Sequence, residues 1–418
     1  MPYSPPEPRW DIVEEHLDEA EFLWGMWEHG LRAPNYGPAD VARGPEARLA
    51  AQVDGLLTAG PAAHERLLLP ALTGEPRRAS AAAATLLAAP GDDGLAAVFA
   101  AWRAADERGP LARALACSDR PEVVTRLRAE LDAGEAAAAE VLIAMGEPLG
   151  DALGALLASD DAHERALGLR ASADEARPED YKAAIAAALD ELDPVVLDAA
   201  IVAGARLGLA SAWQRARARA EDRGGDEALL LLALADAPAD RPLLQRMLLH
   251  KKRRAAGLWA LGFVGKPEVV DLCAEWLEDD KVGRLAGEVV TAVTGVDLAA
   301  AGLSARSRER VALAHVPEDS LPRPDAMKVL GWWVAHRERY AAGRRYLGGA
   351  PRTQATLLAG LAGGSMRRRC AWLLDLQLRA RTPLVLRTLA PIARQRRQLA
   401  EVERRLAQRP VDVDRSPG

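Results

Sequence analysis

Along residues 11–31, DIVEEHLDEAEFLWGMWEHGL, the apolar positions Val13, Leu17, Ala20, Trp24, Trp27 and Leu31 recur at steps of three and four. That spacing places them on one face of a helix. The other positions include seven acids (Asp11, Glu14, Glu15, Asp18, Glu19, Glu21, Glu28) and no lysine or arginine. An acidic amphipathic helix with a tryptophan seam is predicted. It can close the end of a helical stack, or dock a partner through its aromatic face.

From about residue 79 to residue 295 the pattern repeats itself. Residues 141–168, VLIAMGEPLGDALGALLASDDAHERALG, and 257–287, GLWALGFVGKPEVVDLCAEWLEDDKVGRLAG, both read as apolar helix, glycine, a short turn with proline, apolar helix, Asp-Asp, and a new helix carrying arginine. Asp160, Asp161, Arg165 and Gly168 correspond in step to Asp279, Asp280, Arg284 and Gly287. Helix-start signals recur regularly, near Gly134, Ala162, Pro194, Asp226, Arg253 and Val282. A two-helix unit with a period in the usual repeat range predicts an α-solenoid, because one helix pair cannot bury its apolar face without stacked neighbours. Aspartate before a helix caps its exposed N–H groups. The arginine one turn later is expected to reach an aspartate of its own or the adjacent repeat, making Asp160, Asp161, Arg165, Asp279, Asp280 and Arg284 a structural ladder.

Residues 262–267, GFVGKP, resemble the end of a phosphate-binding loop. That motif, G-x-x-x-x-G-K-[ST], requires glycine where Ala260 stands and Ser or Thr where Pro267 stands. A turn is predicted instead, with Gly262 and Gly265 ending one helix and Pro267 opening the next. After residue 295 the pattern breaks at Pro317, Pro322 and Pro324. The expected organisation is an acidic helix with capping helices over 1–75, a repeat array over 76–295, an irregular connection over 296–324, a basic helical module over 325–410 and a frayed tail over 411–418.

Composition supports an all-α reading, since the chain is rich in alanine, leucine and arginine and only 4% aromatic. The net charge of −6 argues against a dedicated nucleic-acid binder. It hides a split, because residues 344–409 hold fifteen arginines, no lysine and three acids (Asp375, Glu401, Glu403), a local charge of +12 that leaves −18 for the remainder. Cys117, Cys273 and Cys370 lie far apart and lack metal or redox spacing. With no apolar leader and no apolar run long enough to span a bilayer, a soluble cytoplasmic protein is expected.

The seven histidines (His16, His29, His64, His163, His250, His315, His336) include no H-E-x-x-H pair. His16 and Glu19, one helical turn apart, are the nearest approach to a reactive pair. There is no G-x-S-x-G and no dinucleotide fingerprint, so no catalytic residue, metal ligand or cofactor is assigned. Two surfaces stand out as partner-binding candidates. The first interleaves aromatic and basic residues: Trp332, Trp333, Arg337, Arg339, Tyr340, Arg344, Arg345 and Tyr346. The second holds the runs Arg367, Arg368, Arg369 and Arg394, Arg396, Arg397, which suit an acidic partner, a phosphate, or the acidic first helix.

The blocks HLDEAEFLW, RLAAQVDGLLTAG, RRAAGLWALGFVGKPEVVDLC, GRRYLGG and APIARQRRQL together resemble an uncharacterised family of proteobacterial HEAT-repeat proteins of the PBS-lyase HEAT-like type. The resemblance covers nearly the whole chain and implies a HEAT-like α-solenoid of stacked helix pairs with a basic helical C-terminal module. Members are often encoded near type VI secretion genes, which implies an accessory or adaptor role. The family offers no catalytic residues to carry over, and bilin-lyase activity is not implied. The expected function is a non-catalytic protein-binding scaffold or adaptor whose partner is a secretion-system component or effector. The alternative is a HEAT-like nucleic-acid binder or DNA glycosylase, with Trp259, Trp276, Trp332 and Trp333 as aromatic surfaces. Against it stand the acids of the middle repeats, Glu268, Asp271, Glu275, Glu278, Asp279 and Asp280, which would repel phosphates.

Overall fold

The computed structural model of the protein describes residues 8–305 and 317–417. Their regular structure is mostly helical, with one short hairpin, Tyr346–Leu347 with Ala350–Pro351, and one antiparallel bridge between Ser304 and Pro324. The chain divides into two compact units. One comprises Met1–Arg32, Tyr36–Ala152 and Arg387–Gln398; the other comprises Ala33–Asn35, Leu153–Leu386 and Leu399–Gly418.

In the first unit the helix Trp10–Gly30 buries Val13, Leu17, Ala20, Leu23, Trp24 and Trp27 against helices Ala47–Thr58 and Pro76–Ala88. The tryptophan seam is therefore core. Trp24 and Trp27 meet edge to face at 5.3 Å, and the Trp27 indole N–H donates to Glu46 at 3.0 Å. The acids on the outer face pair with arginines of neighbouring helices: Glu19 with Arg48, Glu14 with Arg66, and both Asp18 and Glu21 with Arg78. No exposed aromatic seam is left for a docking helix, and the acidic face does not use the C-terminal arginine runs.

In the second unit the helices Ala162–Ser172, Pro194–Arg206, Asp226–Ala235, Arg254–Val264 and Gly283–Thr294 pack each on the next. They begin at or within one residue of the start signals read from the sequence at Ala162, Pro194, Asp226, Arg253 and Val282. Between them lie Lys182–Ala188, Ala210–Glu221, Arg241–Leu249 and Pro267–Cys273, each packed on its neighbours in the sequence. Asp161 and Asp193 cap helix starts, each carboxylate accepting two backbone N–H groups. Within GFVGKP the turn is Gly265-Lys266: Gly262 still lies in the helix Arg254–Val264, Gly265 ends that helix at φ 73°, and Pro267 begins the next.

The expected Asp-Arg ladder takes a different form. Asp160 has no rung, Arg165 donates to the Ser159 carbonyl at 2.8 Å, and its carboxylate partner is Glu191 at 3.1 Å. Asp279 pairs with Arg254, Asp280 with Arg323, and Arg284 donates to the Leu321 carbonyl. Equivalent positions in sequence thus have different partners, because the neighbouring turns differ in what they present.

Several arginines share one structural task. The last carbonyls of a helix have no partner within it, and they carry the negative end of its dipole. Arg345, only 7% exposed, donates to Phe263 O at 2.9 Å and Val264 O at 2.8 Å, ending one helix, and to Leu234 O at 3.0 Å, ending another. Arg379 adds a bond to Leu234 O at 3.0 Å, and Arg206 reaches Ala173 O at 3.1 Å. The hairpin acts in the same way through its backbone. Its two-residue loop is Gly348-Gly349, both at positive φ, as a tight right-twisted hairpin requires. The N–H groups of those glycines donate to Ala292 O at 2.8 Å and Val293 O at 3.0 Å, while the Tyr340 hydroxyl donates to Thr294 O at 3.1 Å.

The expected frayed tail is tied down as far as residue 417. Buried Asp375 pairs with Arg352 and Arg379, and both of those arginines also donate to Val413 O, at 2.9 and 3.1 Å. Val411 N donates to Gln354 at 2.8 Å, and Arg381 reaches Pro417 O at 3.3 Å. In the first unit Arg394 plays the capping part, donating to Ala116 O and Ser118 O at 2.5 Å and sharing Asp119 with Arg397.

Burial lowers the Arg345 guanidinium to about 10, with nearby Arg379 adding to the effect, so it stays charged at neutral pH. Replacing Arg345 by leucine strands several helix-terminal carbonyls and is expected to cost about 2–4 kcal/mol. Arg344→Leu, one residue away on the exposed side, should stay within about 0.5 kcal/mol of wild type; urea unfolding of both variants measures the contrast. Burial pushes the Asp119 carboxyl up, but its bonds to Arg397 and Arg394 outweigh this and hold it below its usual value. Its stabilisation is therefore present above the ordinary carboxylate value, about 3.9, and is lost as pH falls through the lower folded-state value. Asp119→Asn should reduce the thermal midpoint at pH 7, and its gap from wild type should close under strongly acid conditions.

Candidate functional site

Of the fourteen residues in the two candidate surfaces, Arg339, Arg344, Arg396 and Arg397 are exposed and the others are buried or half-buried. Trp333 is buried and its indole donates to Asp271 at 2.6 Å; Arg337 pairs with the same carboxylate at 3.0 Å. Trp332 is half-buried and stacked on His336 at 4.5 Å. Tyr340, Arg345 and Tyr346 are buried in the capping arrangement just described. Arg369, 1% exposed, donates to Leu361 O at 2.7 Å. Arg368 is buried and Arg367 half-buried, both joined to Glu288. Arg396 and Arg397 are exposed, the latter beside Asp119, and Arg394 is buried. The fold thus uses much of the charge and aromatic area of both candidate surfaces internally.

What remains open on the first patch is one face of the helix Ala326–His336, where Met327 and Val334 are each 76% exposed. The tryptophans considered for nucleic-acid stacking are covered by the chain itself. Arg367 lies 4.2 Å over Trp259, and Arg254 lies 3.8 Å over Trp276.

The second unit contains a feature that the sequence reading missed. A groove of about 690 Å³ is lined by one face of the helix Gly283–Thr294 and one face of the helix Gln354–Gly363. The first contributes Gly287, Thr291 and, just past its end, Gly295; the second contributes Thr356, Ala359 and Gly360. These residues recur at helical spacing and are too small to fill the space between the two helices. Leu298 and Trp372 form buried apolar parts of the lining, and Leu321, Pro322 and Leu347 are half-buried. The Trp372 ring fits because residue 364 is glycine: a Cβ there would lie 2.6 Å from it.

The polar lining is sparse. Glu288 is held by Arg368 at 3.2 Å and Arg367 at 3.4 Å, and Arg367 also reaches Glu318 at 2.5 Å. Burial lowers the Arg368 guanidinium against the opposing pull of Glu288. Arg368 also donates to Gly262 O at 2.7 Å, yet its Nε has no hydrogen-bond partner, and neither has the buried Oγ of Ser365. Arg284 makes its one bond to Leu321 O and has no carboxylate partner among the described residues. A signal for this groove was present in the sequence: small residues at 287, 291 and 295, where a core-facing helix would carry larger ones.

Among the described residues the groove lining contains no histidine or cysteine. Its groups are suited to holding a carboxylate or an amide rather than to acid–base or nucleophilic chemistry. Elsewhere His16 shares a hydrogen bond with Gln52 at 2.6 Å rather than with Glu19, which pairs with Arg48. His315 lies outside the described residues. Burial pushes the Cys273 thiol up to about 12 and, with nearby charges making smaller contributions, the Cys117 thiol to about 11, so neither supplies a thiolate at neutral pH. Among the described residues no group of three or more His, Cys, Asp or Glu is arranged to hold a metal ion, and no helix is long and apolar enough to cross a membrane. Comparison with protein-family models and with curated proteins finds no match to the chain.

Proposed function

We propose that this chain is a HEAT-like α-solenoid acting in the cytoplasm as a non-catalytic protein-binding scaffold or adaptor, with the groove of the second unit taking in a segment of the partner. The observation that carries this reading is the groove itself. At about 690 Å³ it is within the usual range for a binding site, about 300–1,000 Å³. Its walls are two helix faces bearing small side chains, which suits insertion of a partner's side chains between them. The regular succession of helices from Ala162–Ser172 to Gly283–Thr294, each packed on the next, supports the HEAT-like reading.

Nucleic acid is the weaker reading on charge. Seven arginines of the basic region (Arg345, Arg352, Arg368, Arg369 and Arg394 buried, Arg367 and Arg379 half-buried) are committed to carbonyls, carboxylates or a thioether of the same chain. Guanidinia occupied in this way release no counterions from a phosphate backbone. The resemblance to HEAT-repeat proteins encoded near type VI secretion genes makes a component of that machinery the first partner to seek.

The test is affinity purification of the tagged full chain from its native host, beside an Ala359→Trp variant. Ala359 is exposed on the groove wall, so the indole fills the groove without entering the core. A stoichiometric protein partner is expected with wild type and should be lost with the variant. Recovery of nucleic acid alone, or of a partner indifferent to Ala359→Trp, would overturn the assignment.

A further inference from the structure

We infer that the groove selects an apolar peptide segment bearing a carboxylate, and that Arg284 is the residue that holds it; the inference rests on the groove being the partner-binding site.

Several successive helices of the second unit carry arginines near their starts. Arg165 pairs with Glu191, and Arg254 pairs with Asp279. In each case the acid comes from the turn before the next helix of the succession. Arg284 occupies the corresponding place on Gly283–Thr294, the last helix in that succession, and the described chain offers it a backbone carbonyl, Leu321 O, in place of the acid. A guanidinium has five N–H donors in a planar fork matched to a carboxylate, and one bond to a carbonyl leaves most of that capacity unused.

The nearby carboxylates are already engaged. Glu288 is shared by Arg367 and Arg368, Asp279 and Asp280 have their own arginines, and Asp297 accepts the backbone N–H groups of Ala299 and Ala300 at 2.9 and 3.0 Å. Arg284 thus lines the groove as a cation with no carboxylate partner among the described residues. Beyond it the lining is mostly apolar, its two carboxylates, Glu288 and Asp297, being engaged as described, and it includes two solvent-excluded polar atoms without partners, Ser365 Oγ and Arg368 Nε. An occupant that satisfies the whole site therefore combines an acid at Arg284 with apolar side chains along the walls. An aspartate or glutamate beside apolar residues in a peptide has that chemistry.

The experiment uses random twelve-residue peptides displayed on phage and selected on the immobilised full-length chain. Selected sequences are then synthesised with a fluorophore, and their affinities are read by anisotropy for wild type, Ala359→Trp and Arg284→Gln. Circular dichroism and thermal unfolding establish that both variants fold. Enriched peptides should share an acid next to apolar residues and should lose binding to Ala359→Trp. Arg284→Gln should weaken them roughly 10- to 100-fold, the worth of one charge-assisted pair. Changing the peptide's acid to its amide should cost the same on wild type and little on Arg284→Gln, the coupling that a direct pair requires.

Peptides blocked by Ala359→Trp but indifferent to the acid-to-amide change would overturn the carboxylate inference and leave the groove as the binding site. Peptides that ignore Ala359→Trp, or a selection that enriches nothing, would overturn both.

Discussion

The carboxyl ends of the packed helices set the conditions that the rest of the second unit must meet. Each helix leaves its last carbonyls without partners, and stacking helices side by side removes those ends from water. The chain answers with donors from far along the sequence. Arg345 serves two helix ends at once, the Gly348-Gly349 loop serves a third, and Arg379 reinforces the first of these. Arginine fits the task better than lysine because its rigid fork can address two or three carbonyls simultaneously and it stays charged when buried. A region with fifteen arginines and no lysine between residues 344 and 409 is therefore largely internal fastening.

This changes the meaning of the charge asymmetry. A local balance of +12 would ordinarily imply an electrostatic surface. Here the acid sites and helix dipoles that neutralise it lie within the same unit, as in the buried group Arg352, Asp375 and Arg379. The charge left for recognition is local, and Arg284 gains importance because it is not consumed in this way.

The features legible in the sequence were those set by neighbouring residues. Aspartate caps, glycine ends and proline starts are determined within one or two turns, so the helix succession and the GFVGKP turn could be read directly. What could not be read depends on long-range partners. Arg344 and Arg345 are chemically identical and adjacent, yet one is exposed and the other sits on four carbonyls from distant parts of the chain. Trp332 and Trp333 divide in the same way, since successive positions on a helix point about 100° apart and the identity of the facing element decides which is buried. The short hairpin also escaped, because two residues per strand leave no alternating pattern to detect. The groove was hidden for the opposite reason: it is made by side chains that are small.

The capping segment also determines when the array can be completed. Arg345 and Leu234 are 111 residues apart, and Tyr340 and Thr294 are 46 apart. During synthesis the helices ending near residues 235, 264 and 294 emerge before the residues that close them, so their last turns must wait for the hairpin. Locally encoded helices thereby acquire a late, non-local closing step, and a chain stopped short of residue 340 would carry open helix ends along one side.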